Sequence, residues 1–172
     1  KAVISENAND VEQQLKAAVN DARKIQQEME KLRRKLKEQK ELSWEDKRTL
    51  ERLRQQQEQL QDRLEEAGSK MQENRELRND QDSKQEELMR KQQQLQEMAE
   101  RLLNDEIKKT MEELQKMMEQ QANQEQLKQK LDQMQLDQND VEKELDRMLE
   151  FFKQMEVEQK ALEVAEKLED LA

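Results

Sequence analysis

Along the first forty positions the apolar residues Ile4, Ala8, Val11, Leu15, Ala18, Ala22, Ile25, Met29, Leu32 and Leu36 recur at alternating steps of four and three. A spacing that averages about 3.5 residues keeps one stripe on one side of an α-helix and predicts pairing with another helix. A second seam follows through Leu50, Leu53, Gln57, Leu60, Leu64, Ala67 and Met71, with Gln57 its single polar member. Side-chain pairs such as Glu86/Arg90, Glu97/Arg101, Glu156/Lys160 and Glu163/Lys167 contribute only about 0.2–0.5 kcal/mol each to a lone helix. Burial of each large seam residue contributes roughly 1.5–3 kcal/mol, so pairing dominates.

Between the seams, positions Gln39, Ser43 and Asp46 are polar in succession. Ser43 followed three residues later by Asp46 is an acidic variant of a capping box, which supplies acceptors to the free N–H groups of a starting helix. We place a turn at 41–43, giving an antiparallel hairpin over 1–76. A reversal there sets Leu36 against Leu50, Leu32 against Leu53, Ala22 against Leu64 and Leu15 against Met71, and Met29 against the mismatched Gln57. The competing arrangement is one continuous helix in a parallel dimer, since Leu36 and Leu50 are two heptads apart and remain in phase.

Beyond Met71 the pattern fades into Asn79-Asp80-Gln81-Asp82-Ser83, with Gly68-Ser69 upstream, and a polar joint is expected over 77–86. Helical periodicity returns over 87–172 with Leu88, Leu95, Met98, Leu102 and Leu103, then Ile107, Met111, Leu114 and Met118. It continues through Leu127, Leu131 and Met134, and through Val141, Leu145, Met148, Phe152 and Met155. Polar residues mark breaks near 104, 122 and 139, so three to four shorter packed helices are expected. Leu149, Phe151, Val157, Ala161, Val164, Leu168 and Leu171 widen the last apolar face, which predicts packing against more than one neighbour. The fold class is all-α: a coiled-coil hairpin followed by shorter helices.

Composition narrows the chemistry. The 172 residues are 43% charged and 2% aromatic, with one Gly and no Pro, His or Cys. Lacking His and Cys, the chain has no ordinary general base near neutral pH, no thiolate and none of the common transition-metal ligands. One Gly excludes a P-loop or dinucleotide-binding turn. Asp80 and Asp82 open like a calcium loop, but Gln85 and Lys91 stand where Gly and Glu are required. We expect no enzyme activity, no cofactor and no metal. No run approaches the roughly 18 apolar residues that span a bilayer, so membrane insertion by this segment is not expected. Lys1 in place of an initiating Met reads as a piece of something longer.

Charge is uneven within a net of −10: residues 31–54 hold ten bases against five acids, and residues 137–172 hold twelve acids against five bases. The basic stretch makes Arg33, Arg34, Lys37, Lys40 and Arg48 candidate interaction residues at one tip, facing solvent, an acidic protein surface or lipid headgroup phosphates; nucleic acid is not expected. Trp44 either staples the turn against Lys47 or Arg48 or anchors a partner. Phe151 and Phe152 cannot both face one seam, which makes them candidates for an outside contact. Met111, Met117, Met118, Met134, Met148 and Met155 at helical spacing read as core filling, or as an adaptable helix-binding surface.

The stretches Leu42-Ser43-Trp44-Glu45-Asp46-Lys47, Lys91-Gln92-Gln93-Gln94-Leu95, Leu102-Leu103-Asn104-Asp105-Glu106, Leu145-Asp146-Arg147-Met148-Leu149-Glu150 and Val157-Glu158-Gln159-Lys160 carry a resemblance. From about residue 40 onward the chain resembles the Glu/Gln/Lys-rich helical region of a family of large, uncharacterised Bacteroidota-type membrane proteins with N-terminal transmembrane helices. The resemblance implies a cell-envelope setting, with this segment a soluble part of a membrane-anchored protein, and carries over no functional residue. The residues themselves point to a structural scaffold or spacer that meets protein partners, or its own copies, through helices; the alternative is a reversible recognition module built on the Met- and Phe-bearing C-terminal helices.

Overall fold

A computed structural model of the chain describes residues 2–38, 43–77, 86–103, 106–120 and 124–171. It is all-α among these residues: α1 Ala2–Glu38, α2 Trp44–Leu77, α3 Glu86–Leu102, α4 Glu106–Glu119 and α5 Gln124–Leu171. At about 1.5 Å per residue, α1 and α2 are rods of roughly 50–55 Å and α5 is one of about 72 Å. The expected joint lies largely in 78–85, and the expected break points at 104 and 122 likewise lie outside the described residues.

The two seams are buried as their spacing requires. From Val11 to Leu36 and from Leu50 to Ala67, their apolar members are almost completely removed from solvent. They meet in an antiparallel hairpin. The contacts Asn7–Asn74, Asp10–Lys70, Gln14–Glu66, Asp21–Arg63 and Lys35–Asp46 join positions whose numbers add to between 80 and 84. The expected pairing, Leu15 with Met71 and Leu36 with Leu50, adds to 86 and is therefore about one helical turn out of register. The observed sums set each a position of one seam opposite a d position of the other, whereas 86 sets a against a. Ser43 N–H and Oγ–H both donate to Asp46 Oδ2 at 3.0 Å, and Asp46 N–H reaches back to Ser43 Oγ at 3.4 Å. This cap places Ser43 outside the helix and starts α2 at Trp44; positions 41 and 42 of the expected turn lie outside the described residues.

The hairpin is half of a larger bundle. α1 packs on α2 and α5, α2 on α3 and α4, and α5 on α3 and α4, so α3 and α4 act as one interrupted rod in a ring of four. Neighbours run antiparallel: Gln96 reaches Gly68 and Gln115 reaches Glu51 between this rod and α2. Arg23 meets Glu142 and Gln26 meets Asn139 between α1 and α5. Up-and-down packing of this kind buries one stripe per helix without long crossings.

The break expected at 139 is absent, since α5 runs unbroken from Gln124 to Leu171. Asn139 resembles an N-cap only in isolation. In the bundle its side-chain oxygen accepts from Gln26 Nε2 at 3.0 Å, and the neighbouring Gln138 turns into the core. Without Pro or Gly there, nothing forces the helix to stop.

Candidate functional site

The basic end of the hairpin divides into charges that hold the bundle and charges that face solvent. Arg33, half-buried, lies 2.6 Å by Nε from Asp132 Oδ1 and donates through Nη1 to Gln135 Oε1 at 2.8 Å, both on α5. Gln135 in turn donates to Glu30, whose carboxyl is held below the usual range by that bond and by Arg33 and Arg34. Arg34 is exposed and lies 3.4 Å from Glu30. Lys35 reaches the buried Asp46 at 3.5 Å. Lys37 is exposed, and Lys40 lies outside the described residues. Of the candidate cations, Arg33 thus faces α5 and welds the hairpin to it; Arg34, Lys37 and Arg48 remain on the surface.

Trp44 is the first residue of α2 and is 66% exposed, with the Arg48 guanidinium 4.4 Å from its ring centroid. The pairing follows from helix geometry, because residues four apart share a face, and a guanidinium over an indole is a favourable cation–π arrangement. The contact leaves most of the indole accessible.

At the other candidate, Phe152 is 3% exposed and Phe151 is half-buried against the core. Met111, Met118, Met134, Met148 and Met155 are buried as well, and Met117 is partly so. The apolar face expected to widen around Phe151 instead divides by position. Leu149 is buried and Leu162 partly buried, whereas Val157, Val164, Leu168 and Leu171 are 56–84% exposed and Ala161 lies exposed between them. The expected contact of this helix with more than one neighbour is met, since α5 packs on α1, α3 and α4, but these last apolar residues take no part in it among the described residues.

The bundle interior contains polar features that hydrophobic periodicity does not reveal. Gln57 accepts a 2.7 Å hydrogen bond from Gln138 Nε2, and both are buried. The mismatch expected opposite Met29 is therefore resolved by a second amide from α5. Asn7 donates to Asn74 at 3.0 Å, and Asn74 donates to the Ile4 carbonyl at 3.1 Å. A polar crevice of about 420 Å³ between α2 and α3 is walled by Gln72, Arg75, Glu76, Gln93, Gln96 and Glu97, among others. These offer charge and amides but no nucleophile. Among the described residues no cluster of three or more His, Cys, Asp or Glu is placed to hold a metal ion, and no described helix is long and apolar enough to cross a membrane.

No protein-family model, curated protein or solved structure matches the chain.

Proposed function

We propose that this segment is a non-enzymatic structural scaffold or spacer, a stiff helical arm within a larger, envelope-associated protein. The observation that carries this reading is where the seam residues go: from Val11 in α1 to Met155 in α5, the buried seam residues of all five helices form one core cluster. A recognition module would keep its adaptable Met and Phe residues facing a groove. Here Phe152, Met148 and Met155 fill the shared core instead, which favours the scaffold over the module. Antiparallel rods with interlocking side chains resist bending, which suits an element whose function is to set a distance. The envelope setting rests on the family resemblance alone.

The test exchanges the segment, in its full-length parent, for an unrelated antiparallel four-helix rod of equal length, alongside a version one heptad longer in every rod. A spacer tolerates the first exchange and is impaired by the second. Loss of parent function with the length-matched rod means that specific surface residues matter, and the scaffold reading falls.

A further inference from the structure

The exposed stripe at the end of α5 has a phase of its own. Residues of α5 that face the bundle fall at Leu145, Met148, Phe152, Met155 and Gln159. The exposed stripe falls at Val157, Ala161, Val164, Leu168 and Leu171, again at steps of four and three. Val157 and Ala161 lie two residues either side of the buried Gln159, a rotation of about 200° at 3.6 residues per turn. The stripe therefore runs along the side of α5 that faces away from the other helices. It is a heptad seam without a partner among the described residues.

We propose that this stripe pairs with the same stripe of a second copy, in parallel, joining two bundles side by side through the ends of their α5 helices. Taking Ala161 and Leu168 as a positions and Val157, Val164 and Leu171 as d positions, the flanking g positions are Lys153, Lys160 and Lys167 and the e positions are Glu158, Ala165 and Ala172. In a parallel pair each g residue lies beside the e residue five further along its partner. Lys153, 3.9 Å from Glu150 of its own chain, then lies beside Glu158 of the second copy, whose carboxylate accepts from its own Lys91 at 2.8 Å and stays half-exposed. Lys160 meets Ala165, so no like charges touch among the described residues. In an antiparallel pair g lies beside g, which sets Lys160 of each copy against Lys167 of the other. Charge thus selects the parallel arrangement. Because the stripe is opposite the bundle, the remaining helices of each copy project outward and do not collide.

The contact is only about two heptads long, which puts it among small, reversible interfaces. It does not depend on the scaffold reading, since a recognition module with this stripe would associate equally. The 172-residue chain, which has no Cys, is the material for the test. Sedimentation equilibrium over about 10–500 µM, the range suited to a weak interface, is expected to show the mass rising from 20.8 kDa toward twice that value. The Val164→Lys/Leu168→Lys variant is expected to remain monomeric with an unchanged thermal melt, because both sites are exposed. Oxidising an equal mixture of Val157→Cys and Leu171→Cys chains is expected to give 157–157 and 171–171 disulfides. A monomer throughout, a limiting mass above two copies, a double-Lys variant that still dimerises, or a dominant 157–171 disulfide would each overturn the proposal.

Discussion

Gly68 sits in the interior of α2, where a Cβ in its place meets no atom within 4 Å. Glycine loses more backbone entropy on folding than alanine, so Gly68→Ala is expected to stabilise the bundle by roughly 0.5–1 kcal/mol, read as a higher urea midpoint with unchanged slope. Asp137 is held above the ordinary carboxylate range by burial, with Asp140 and Glu106 adding repulsion. The folded chain therefore binds this proton more tightly than the unfolded chain, and the contribution of Asp137 to stability falls as pH rises through that window. Asp137→Asn is expected to raise Tm at pH 7 and to leave it unchanged near pH 3. Glu30 and Glu113 act in the opposite sense: hydrogen bonds from Gln135 and Lys130 hold their carboxyls low, so their contribution is present at neutral pH and is lost on acidification. Gln57→Leu strands the buried Gln138 amide and is expected to destabilise by about 1–3 kcal/mol, whereas Gln57→Leu/Gln138→Leu is expected to recover most of that loss. A double-mutant cycle by denaturant unfolding measures the coupling. The hydrophobic pattern marks Gln57 as the odd residue in its seam. It does not show the remedy, because the partner is 81 positions away on a helix whose placement periodicity does not specify.

At the scale of elements, the cap at Ser43 and Asp46 sets where α2 begins. Ser43→Ala removes one arm of this reciprocal pair and is expected to lower stability by about 1 kcal/mol. Ser43→Asn, which keeps a capping acceptor, is expected to lose much less; paired chemical denaturation curves compare the two. Helices α1 and α2 were legible because long 3–4 spacing leaves few alternatives. The start of α2 was legible because Ser43 and Asp46 are a local chemical signal. Register was less so: both alignments set apolar residues against apolar residues, and a shift of one turn changes little in such a seam. The false break at 139 has the same origin. Asn139 and Asp140 carry capping chemistry, but whether a side chain caps its own helix or bonds across to Gln26 is decided by a neighbour that no local window contains.

For the whole molecule, the sequence reading separates a hairpin from a later helical segment, and the packing joins them. Arg33 and Arg23 on α1 reach Asp132 and Glu142 on α5, and Gln57 on α2 depends on Gln138. A chain truncated after Leu77 leaves these groups without their partners and opens one side of both helices to water. Residues 1–77 alone are expected to be less helical by circular dichroism and to melt with lower cooperativity than the intact chain; an equal melt would make the hairpin an independent unit. The candidate surfaces were partly legible as well. Charge counting located the basic end, but Arg33 could not be separated from Arg34 without knowing which side of α1 meets α5. The α5 stripe is visible as an apolar series, yet only the buried series Leu145, Met148, Phe152 and Met155 on the opposite side shows that it faces away from the other helices.

The ring of rods closes through its last-made member. Contacts between α1 and α5 span up to 119 positions, whereas those of the hairpin begin within ten residues of the turn. A chain emerging from the ribosome can therefore zip α1 onto α2 early, at small loop-closure entropy, while the opposite flank of α1 waits for α5. Throughout that interval the hydrophobic sides awaiting α5 stay wet, so the time between the synthesis of α2 and that of α5 is one of aggregation hazard.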